Sequence, residues 1–246
     1  KFLDKNVLIT GGSKGIGKSI CEKFAKEGAN VIYTYRKNDK SVKILNEYSK
    51  KNNYKIFGYQ IKNSENKNLK FTLRKIYQNH QKINFLINNV GDAIKRSRFV
   101  NSSDKLWNDS IDINLMSAVR TSRNIIKIFR KSKLDAIINI GSIAGKTFGQ
   151  GDSLHYGVSK AALHAFTIGL SKELNQTRVN CIAPNAVDTN FQKRLSSKKR
   201  ILNIIKKNKL GRLATSGEVA DLTLFLCSKN ACYINGEIIY MTGGLK

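Results

Sequence analysis

Residues 7–17 read VLITGGSKGIG, and this stretch decides the fold. Its apolar first part predicts a buried strand at 7–10, and the residues after it predict a helix at 16–27. The glycine-rich turn between them lets the backbone approach a phosphate closely, and the helix start offers free N–H groups with positive potential. The turn glycines follow a Gly-x-x-x-Gly-x-Gly spacing, as Gly11, Gly15 and Gly17. The turn therefore predicts a dinucleotide-binding site at the first strand–helix junction.

Strand-like and helix-like segments alternate along the rest of the chain. The predicted strands lie at 7–10, 31–35, 55–60, 85–88, 135–140, 178–183 and 237–241. The predicted helices lie at 16–27, 41–50, 69–79, 105–130, 153–174 and 218–226. Because the strands are rich in Val and Ile and each is followed by a helix, a parallel sheet covered on both faces is expected. The sequence predicts one α/β domain over residues 1–246, with a Rossmann-type, doubly wound parallel sheet in three α/β/α layers.

The chain is strongly basic, with 44 Lys and Arg against 17 Asp and Glu, a formal net charge of +27. Such a charge attracts anions, including nucleic acid, membrane surfaces, phosphorylated substrates and acidic proteins. The lysines are spread over most predicted helix faces, which favours a general compositional bias. Since no arginine-rich tail or nucleic-acid-binding motif concentrates the charge, nucleic acid is not the expected partner.

Other features of the composition favour a cytoplasmic protein. The chain enters a strand pattern at once, and no apolar run approaches the roughly 18 residues of a membrane span. No cluster of acidic residues and histidines suggests a metal. The cysteines lack metal-site spacing and lie in or near apolar segments, so buried free thiols are predicted at Cys21, Cys181, Cys227 and Cys232.

Tyr156 and Lys160 lie four residues apart on a predicted helix and so share one face. A tyrosine titrates at about pH 10, and a nearby ammonium group favours the phenolate and lowers the tyrosine pKa. With Ser142 upstream, the two residues form a candidate proton-transfer group. The spacing alone is weak evidence in a lysine-rich chain, because it often arises by chance.

Further motifs make the chain resemble the short-chain dehydrogenase/reductase family from end to end. Residues 10–17 match that family's Thr-Gly-x-x-x-Gly-x-Gly turn, and Asn88-Asn89-Val90-Gly91 resembles its Asn-Asn-Ala-Gly motif, with Val90 in place of alanine. The family's four catalytic positions are matched by Asn114, Ser142, Tyr156 and Lys160. The resemblance implies a nicotinamide-dependent oxidoreductase.

The resemblance also implies the catalytic roles. Tyr156 would donate a proton to a carbonyl oxygen, and Ser142 would hydrogen-bond that oxygen. Lys160 would lower the tyrosine pKa and hold the nicotinamide ribose, and Asn114 would hold a water that links Lys160 to solvent. His155 and His164 lie on the same predicted helix, and a packing or surface role is expected for both.

The end of the second strand favours NADP(H) over NAD(H). An acidic residue there would bond the ribose hydroxyls and repel a 2′-phosphate, but this chain has Tyr35 and then Arg36. Lys14 lies in the glycine-rich turn, near the expected phosphate. Asn38 and Asp39 follow, and they are expected to point into the next turn.

By resemblance, further residues would complete the cofactor site. Gln60 replaces the acidic residue that often contacts adenine, with Ile61 next to it, and Val187 and Thr189 fall where the nicotinamide carboxamide is bound. The full set of predicted cofactor-binding residues is Gly11, Ser13, Lys14, Gly15, Ile16, Gly17, Arg36, Gln60, Ile61, Asn88, Val90, Gly91, Tyr156, Lys160, Val187 and Thr189.

The segment after the sixth strand departs from the family pattern. The family's usual Pro-Gly is Pro184-Asn185 here, and Asn is expected to keep the turn because it tolerates left-handed backbone angles. Residues 190–210 then resemble the family's mobile substrate lid and are very basic. These residues are called the lid segment below.

The predicted function is an NADPH-dependent carbonyl reductase, and 3-oxoacyl-[acyl-carrier-protein] reductases are the most similar members. The pattern around Gly211-Arg212-Leu213 and Glu218 fits them, although many members share it. The basic surface would suit an acidic acyl carrier protein, and the family implies a homotetramer. Two alternatives stay open: a dehydrogenase or reductase of a sugar or another small alcohol or ketone, and an anion- or nucleic-acid-binding protein on a reductase fold.

Overall fold

The computed structural model describes residues 1–37, 39–61, 66–130, 133–149 and 151–244. Seven parallel strands form one sheet in the order β3-β2-β1-β4-β5-β6-β7. The strands are β1 (Asn6–Ile9), β2 (Asn30–Tyr35), β3 (Ile56–Gln60), β4 (Phe85–Asn88), β5 (Ala136–Ile140), β6 (Arg178–Pro184) and β7 (Ile238–Met241). The chain order reverses between β1 and β4, which are hydrogen-bonded neighbours, and such a switch point is where parallel α/β sheets bind ligands.

Helices cover both faces of the sheet. They are α1 (Gly15–Lys26), α2 (Lys40–Lys51), α3 (Asn66–His80), α4 (Asp104–Ile111), α5 (Ser117–Ile128), α6 (Ala144–Thr147), α7 (Leu154–Glu173), α8 (Asn190–Leu195), α9 (Lys198–Lys207) and α10 (Ser216–Cys227). Short 3₁₀ turns lie at Phe99–Asn101 and Lys229–Ala231. Among the described residues, no helix is long and apolar enough to cross a membrane.

Alternate residues of the strands contribute to two apolar cores, one on each face of the sheet. Val7 and Ile9 of β1 pack with α1 and α10 on one face, whereas Leu8 packs with α3, α5 and α7 on the other. This alternation is the period-two side-chain pattern of a strand that is buried on both faces. The predicted three-layer architecture is therefore confirmed.

The predicted helix at 105–130 is interrupted. A π-helical stretch, Asp112–Met116, separates α4 from α5 and carries Asn114. Single π turns often mark functional sites, since they displace one residue from the regular hydrogen-bond ladder. The sequence pattern did not indicate this break because the apolar periodicity continues through it.

The cysteine prediction is right for three residues and wrong for one. All four thiols are free, and Cys21, Cys181 and Cys227 are buried, but Cys232 is exposed. Cys232 directly follows the 3₁₀ turn at Lys229–Ala231, which turns the chain over the surface. The adjacent Tyr233 is fully exposed.

Candidate active site

The glycine-rich turn adopts a shape that only glycine permits. Gly11 and Gly15 have φ angles of 66° and 56°, in the left-handed region. A Cβ atom on Gly17 would lie 2.5 Å from the carbonyl oxygen of Gly11 and 2.6 Å from the side-chain nitrogen of Asn89. No side chain caps the start of α1, since Lys14 makes no such hydrogen bond. The turn thus offers a close backbone surface and free N–H groups, which fit the pyrophosphate of a dinucleotide.

The other two predicted turn residues lie underneath this surface. Ser13 is buried, and Ile16 is half-buried and packs against the apolar core below α1. Their contribution is to hold the turn on the sheet.

The end of β4 is tied to the turn by Asn89. Its side-chain nitrogen donates to the carbonyls of Thr10 (2.9 Å) and Gly11 (3.1 Å), and the Thr10 hydroxyl accepts from the backbone N–H groups of Asn89 and Val90. Asn88 instead points into the helix layer, where it donates to Ser122 (3.0 Å) and to Asn139 (2.8 Å). Asn88 therefore fixes the strand, and Asn89, which the sequence did not single out, shapes the turn.

Gly91 lies against two of the predicted catalytic side chains. A Cβ atom there would lie 2.9 Å from Asn114 Oδ1 and 2.9 Å from Lys160 Nζ. The backbone after β4 thus passes directly over Lys160 and Asn114. A side chain at this position would displace one of them.

Of the two cations predicted for the ribose phosphate, Lys14 reaches Asp39 just after β2, and Arg36 directly follows that strand. Lys14 Nζ lies 3.6 Å from a carboxylate oxygen of Asp39, and Arg36 is exposed. Asp39 caps α2 by accepting from the Ser41 N–H (3.0 Å), as expected for a residue that points into the next turn. Burial acts to raise the pKa of Asp39, but the Ser41 hydrogen bond and the Lys14 charge lower it overall. Asn38 lies outside the described residues.

Gln60 and Ile61 lie beside the end of β2. Gln60 donates through its side-chain amide to the Arg36 carbonyl at 3.0 Å, and the Ile61 N–H donates to the Tyr35 carbonyl at 2.8 Å. These bonds join β3 to the end of β2. Because β3 contains no Asp or Glu, it places no carboxylate at this end.

Tyr156 lies in the first turn of α7 beside Ser142, which follows β5. Burial raises the pKa of Tyr156 to about 12, while a hydrogen bond with Ser142 lowers it and the charge of Asp92 raises it. The Ser142 hydroxyl also accepts from the Ala144 N–H at 3.1 Å, which fixes its position. The expected lowering of the tyrosine pKa is therefore wrong for this structure, because the loss of solvent around the phenol dominates.

Lys160 is almost fully buried, with 3% of its surface exposed. Its ammonium group donates to the Ile140 carbonyl at 2.8 Å and lies 6.0 Å from the centre of the Tyr156 ring. Burial lowers the pKa of Lys160 to about 8, and the nearby Cys181 thiol opposes this shift. Lys160 thus stays mostly charged at pH 7, but much less energy is needed to deprotonate it than a free lysine requires.

Asn114 is fully buried, and its side chain is engaged with the loop after β4. Its Oδ1 atom accepts from the Asp92 N–H (2.9 Å), and its Nδ2 atom donates to the carbonyls of Asp92 (2.8 Å) and Ser110 (3.0 Å). The side chain therefore holds Asp92 in place, while the π-helical backbone around it leaves the regular α-helical pattern.

Both histidines of α7 are buried, in line with the packing role expected for them. The His155 Nδ1 atom lies 2.8 Å from the Ser110 hydroxyl, which links α7 to α4. His164 packs against Gly141 and Gly145. Burial and the Lys160 charge lower the pKa of His164 to about 4, so it is neutral at physiological pH.

The departure at Asn185 is accommodated without a left-handed turn. Asn185 does not have a positive φ, and its N–H donates to the Met241 carbonyl at 3.0 Å. The left-handed conformation that Asn tolerates is therefore not used here, because the pairing of β6 with β7 extends to this residue. The segment after Asn185 passes back beside the glycine-rich turn. A Cβ atom on Gly15 would lie 3.8 Å from Thr189 Cγ2, and Val187 is buried.

The lid segment contains two helices that the sequence reading left unassigned, α8 and α9. The ring of Phe191 in α8 lies 6.4 Å from the Tyr156 ring, centre to centre. Arg194 pairs with Asp92, and Arg200 pairs with Asp152 at 3.0 Å. Part of the strong positive charge of this segment is therefore neutralised by loops next to the catalytic residues.

The predicted catalytic and cofactor residues thus lie along one edge of the sheet, at the carboxyl ends of its strands. The sequence reading missed Asp92, Arg96, Asp152 and Phe191, which surround the catalytic residues. Their signal was weak, because each is a common residue type in a loop or lid and its partners are distant in sequence. Among the described residues, no group of three or more His, Cys, Asp or Glu could hold a metal ion.

Comparisons with known proteins agree with this arrangement. A family model described as Enoyl-(Acyl carrier protein) reductase matches residues 11–246. The 3-oxoacyl-[acyl-carrier-protein] reductase FabG of Escherichia coli (strain K12) is 32% identical over 246 residues, covering 99% of this chain and 98% of the relative. The FabG of Aquifex aeolicus (strain VF5) is 32% identical over 252 residues, covering 100% of this chain and 98% of the relative.

A solved structure gives the same result at the level of the fold. The crystal structure of a short-chain dehydrogenase/reductase from Brucella melitensis, titled Glucose/ribitol dehydrogenase, superposes with a TM-score of 0.89. It is 28% identical in sequence, and the match covers 100% of this chain and 98% of that one. Because the similarity extends over nearly the whole length in both sequence and structure, the chain belongs to the short-chain dehydrogenase/reductase family of oxidoreductases.

Proposed function

We propose that this protein is an NADPH-dependent reductase that converts a carbonyl to a secondary alcohol, and that its substrate is a 3-oxoacyl group carried by acyl carrier protein. One observation supports this type of reaction. Ser142, Tyr156 and Lys160 lie together beside Gly91, at the same edge of the sheet as the glycine-rich turn. This arrangement brings a proton donor and a hydrogen-bond donor to one place, next to a surface that fits a dinucleotide.

In this proposal Tyr156 is the proton donor. Its raised pKa keeps the phenol protonated at neutral pH, which suits donation to an oxygen that gains negative charge. Ser142 hydrogen-bonds the same oxygen and stabilises that charge. When bound, NADPH supplies the hydride.

Lys160 and Asn114 support the donor. The Lys160 ammonium would hold the cofactor ribose and would supply a proton towards Tyr156, whose ring centre lies 6.0 Å away. Asn114 keeps Asp92 and the π-helical turn fixed. A water held beside Asn114 would connect Lys160 to solvent and so restore its proton.

Three features of the β2 end support NADP(H). Arg36 is exposed, Lys14 lies in the neighbouring turn, and Tyr35 and Arg36 occupy the strand end where an acidic residue would repel a phosphate. Asp39 is engaged as the cap of α2 and pairs with Lys14, so its charge is compensated. A 2′-phosphate would then be met by Arg36 and Lys14.

The activity of the two FabG relatives, as their names give it, supports the 3-oxoacyl substrate, and the basic surface suits an acidic carrier protein. Within the same proposal the protein is a cytoplasmic homotetramer. The glucose/ribitol name of the Brucella melitensis structure supports a second candidate, an NADP-dependent dehydrogenase or reductase of a sugar or another small alcohol or ketone.

A substrate panel with NADPH tests the proposal. We expect acetoacetyl thioesters, free and bound to acyl carrier protein, to be reduced, and an enoyl thioester such as crotonyl to stay unchanged. Turnover of sugar alcohols with NADP⁺, without reduction of acetoacetyl thioesters, would favour the second candidate. Salt-sensitive RNA binding without turnover of any carbonyl compound would favour an anion-binding protein on a reductase fold.

A further inference from the structure

The clearest cluster that the proposed reaction leaves unexplained surrounds Arg96, in the loop after β4. All three guanidinium nitrogens of Arg96 donate hydrogen bonds. Nη1 donates to Asp152 Oδ1 (2.9 Å) and to the Ser153 hydroxyl (3.0 Å), Nη2 donates to the Ser196 hydroxyl (3.2 Å), and Nε donates to the Leu195 carbonyl. Only about a quarter of the side chain, 27%, is exposed.

On one side this cluster fixes the first turn of α7. Ser153 precedes the helix, and its carbonyl accepts the Gly157 N–H at 2.9 Å. Its hydroxyl does not cap the helix and instead contacts Arg96 and Asp152. Tyr156 lies within this same turn, so Arg96 acts on the base of the helix that carries the proposed donor.

On the other side the cluster holds the lid segment at the junction of its two helices. Leu195 is the last residue of α8, and its carbonyl is one of those that a helix end leaves without an intrahelical partner. A guanidinium group satisfies it and also suits the negative end of the helix dipole. Ser196 is buried and accepts a second hydrogen bond from Gln192 at 2.9 Å.

The lid has few other attachments at this point. None of the ten residues of α9, all of them described, is fully buried, and Arg200 of this helix pairs with Asp152, the same carboxylate that Arg96 engages. Asp152 therefore accepts from two arginines. Burial acts to raise the pKa of Asp152, but the hydrogen bonds with Arg200, Ser153 and Arg96 lower it overall, so the carboxylate stays ionised.

Arg96 thus connects the segment that carries Tyr156, α7, to the segment that carries Phe191, α8, and the two rings lie 6.4 Å apart, centre to centre. We propose that Arg96 is a positioning residue for the reduction: it clasps the lid segment to the first turn of α7 and so sets how Phe191 lies against Tyr156. The inference rests on the proposed function, since Tyr156 is taken as the proton donor. A planar group with three donating nitrogens suits this role, and the single ammonium of a lysine does not.

The test compares Arg96→Gln with Arg98→Gln. The two changes remove the same charge from one loop, but Arg98 is exposed and its guanidinium makes no hydrogen bond or ion pair with the described residues. We expect Arg96→Gln to lower kcat about tenfold or more, because small misplacements of catalytic groups cost that much. The Kd for NADPH should change less than about twofold, since Arg96 touches no residue of the glycine-rich turn. Arg96→Lys should fall between the wild type and Arg96→Gln.

Hydrogen exchange read by mass spectrometry gives a readout that does not depend on activity. For Arg96→Gln we expect faster exchange in 190–207 and 153–157, with unchanged exchange in α10. Equal kcat and equal exchange for Arg96→Gln and Arg98→Gln would overturn the proposal that Arg96 holds the lid segment against α7. Faster exchange throughout the protein would overturn it as well. If Arg96→Gln does not fold, Ser196→Ala removes one lid-side acceptor, and faster exchange confined to the lid segment is then expected.

The two proposals can fail separately. A wild-type protein that reduces no carbonyl with NADPH would refute the proposed function, while exchange would still report on the clasp. A wild-type protein that is active, but whose Arg96→Gln variant keeps its kcat, would refute the positioning role alone.

Discussion

At the scale of single residues, burial decides the protonation of Tyr156 and Lys160. Sequence reasoning placed Tyr156 and Lys160 on one helix face, and the structure agrees. The sequence could not show whether the pKa of Tyr156 is raised or lowered, since the shift depends on how much solvent the folded chain removes from the phenol. The result is a neutral tyrosine beside a lysine that titrates near neutrality. This state suits a proton donor better than the phenolate that the spacing alone suggested.

The first prediction concerns Tyr156→Phe. The change removes only the hydroxyl, so NADPH binding should persist while carbonyl reduction falls by about 10² to 10⁴. Initial rates and cofactor fluorescence measure the two effects. Tyr233→Phe, at a fully exposed tyrosine, is the matched control and should leave the rate unchanged. A fully active Tyr156→Phe variant would show that another group donates the proton.

The second prediction follows from the lowered pKa of Lys160, about 8. Below this pH the ammonium is charged and can supply a proton towards Tyr156, and above it the amine is neutral. We therefore expect kcat/KM for reduction to fall as the pH rises through about 8, while Tyr156 stays protonated. Initial rates from about pH 6 to 10 test this, because kcat/KM reports ionisations of the free enzyme. A rate that stays flat across this range would contradict the role given to Lys160.

The third prediction concerns Arg36→Asp. A carboxylate there should repel a 2′-phosphate and accept hydrogen bonds from the ribose hydroxyls, shifting the preference from NADPH towards NADH. The ratio of kcat/KM for the two cofactors should change by about tenfold or more, since one lost charge-assisted hydrogen bond is worth about 1.5–3 kcal/mol. Lys37→Asp makes the same charge change one residue further on. If both variants shift the ratio equally, general electrostatics and not a specific contact would explain the preference.

At the scale of elements, the sequence predicted the regular parts well and the irregular parts poorly. All seven strands and six of the main helical regions were predicted, because Val/Ile runs and helical periodicity are local signals. The π-helical turn at Asn114, the short helix α6 and the lid helices α8 and α9 were missed. The residues of α9 do alternate between apolar and basic with helical periodicity, but none of them is buried in the core, and the lid's attachment depends on Arg96 and Asp152, which come from other parts of the chain.

The fourth prediction compares two glycines, each inside a helix. A Cβ atom on Gly17 would collide with the turn, so Gly17→Ala should abolish NADPH binding. A Cβ atom on Gly169 in α7 would meet nothing within 4 Å, so Gly169→Ala should raise the free energy of unfolding by about 0.5–1 kcal/mol. Cofactor titration and thermal unfolding measure these opposite outcomes. Normal NADPH binding by Gly17→Ala would refute the close approach of the turn to the cofactor.

At the scale of the whole molecule, the net charge of +27 is only partly compensated within the fold. Several cations near the site are paired, as Arg194 is with Asp92, but most of the lid lysines are exposed. Exposed charges of one sign act mainly on the encounter with a partner, and salt screens them. The charge is therefore expected to affect how a large acidic substrate arrives and not the chemical step.

The fifth prediction uses this difference. Raising the ionic strength should raise KM for an acetoacetyl group carried by acidic acyl carrier protein, and leave KM for a small uncharged acetoacetyl thioester nearly constant. Steady-state kinetics over a salt series measure both. An equal response of the two substrates would remove the argument for an acidic carrier.

The hydrogen bonds from Asn89 to the glycine-rich turn also bear on the order of folding. Asn89 reaches back 79 residues to Thr10, and β1 lies between β2 and β4 in the sheet. A growing chain that has released only its first strands and helices lacks the group that completes the turn. We therefore expect nascent chains that end before β4 to lack nucleotide affinity, so that nucleotide binding by nascent chains of increasing length would show when the turn is completed.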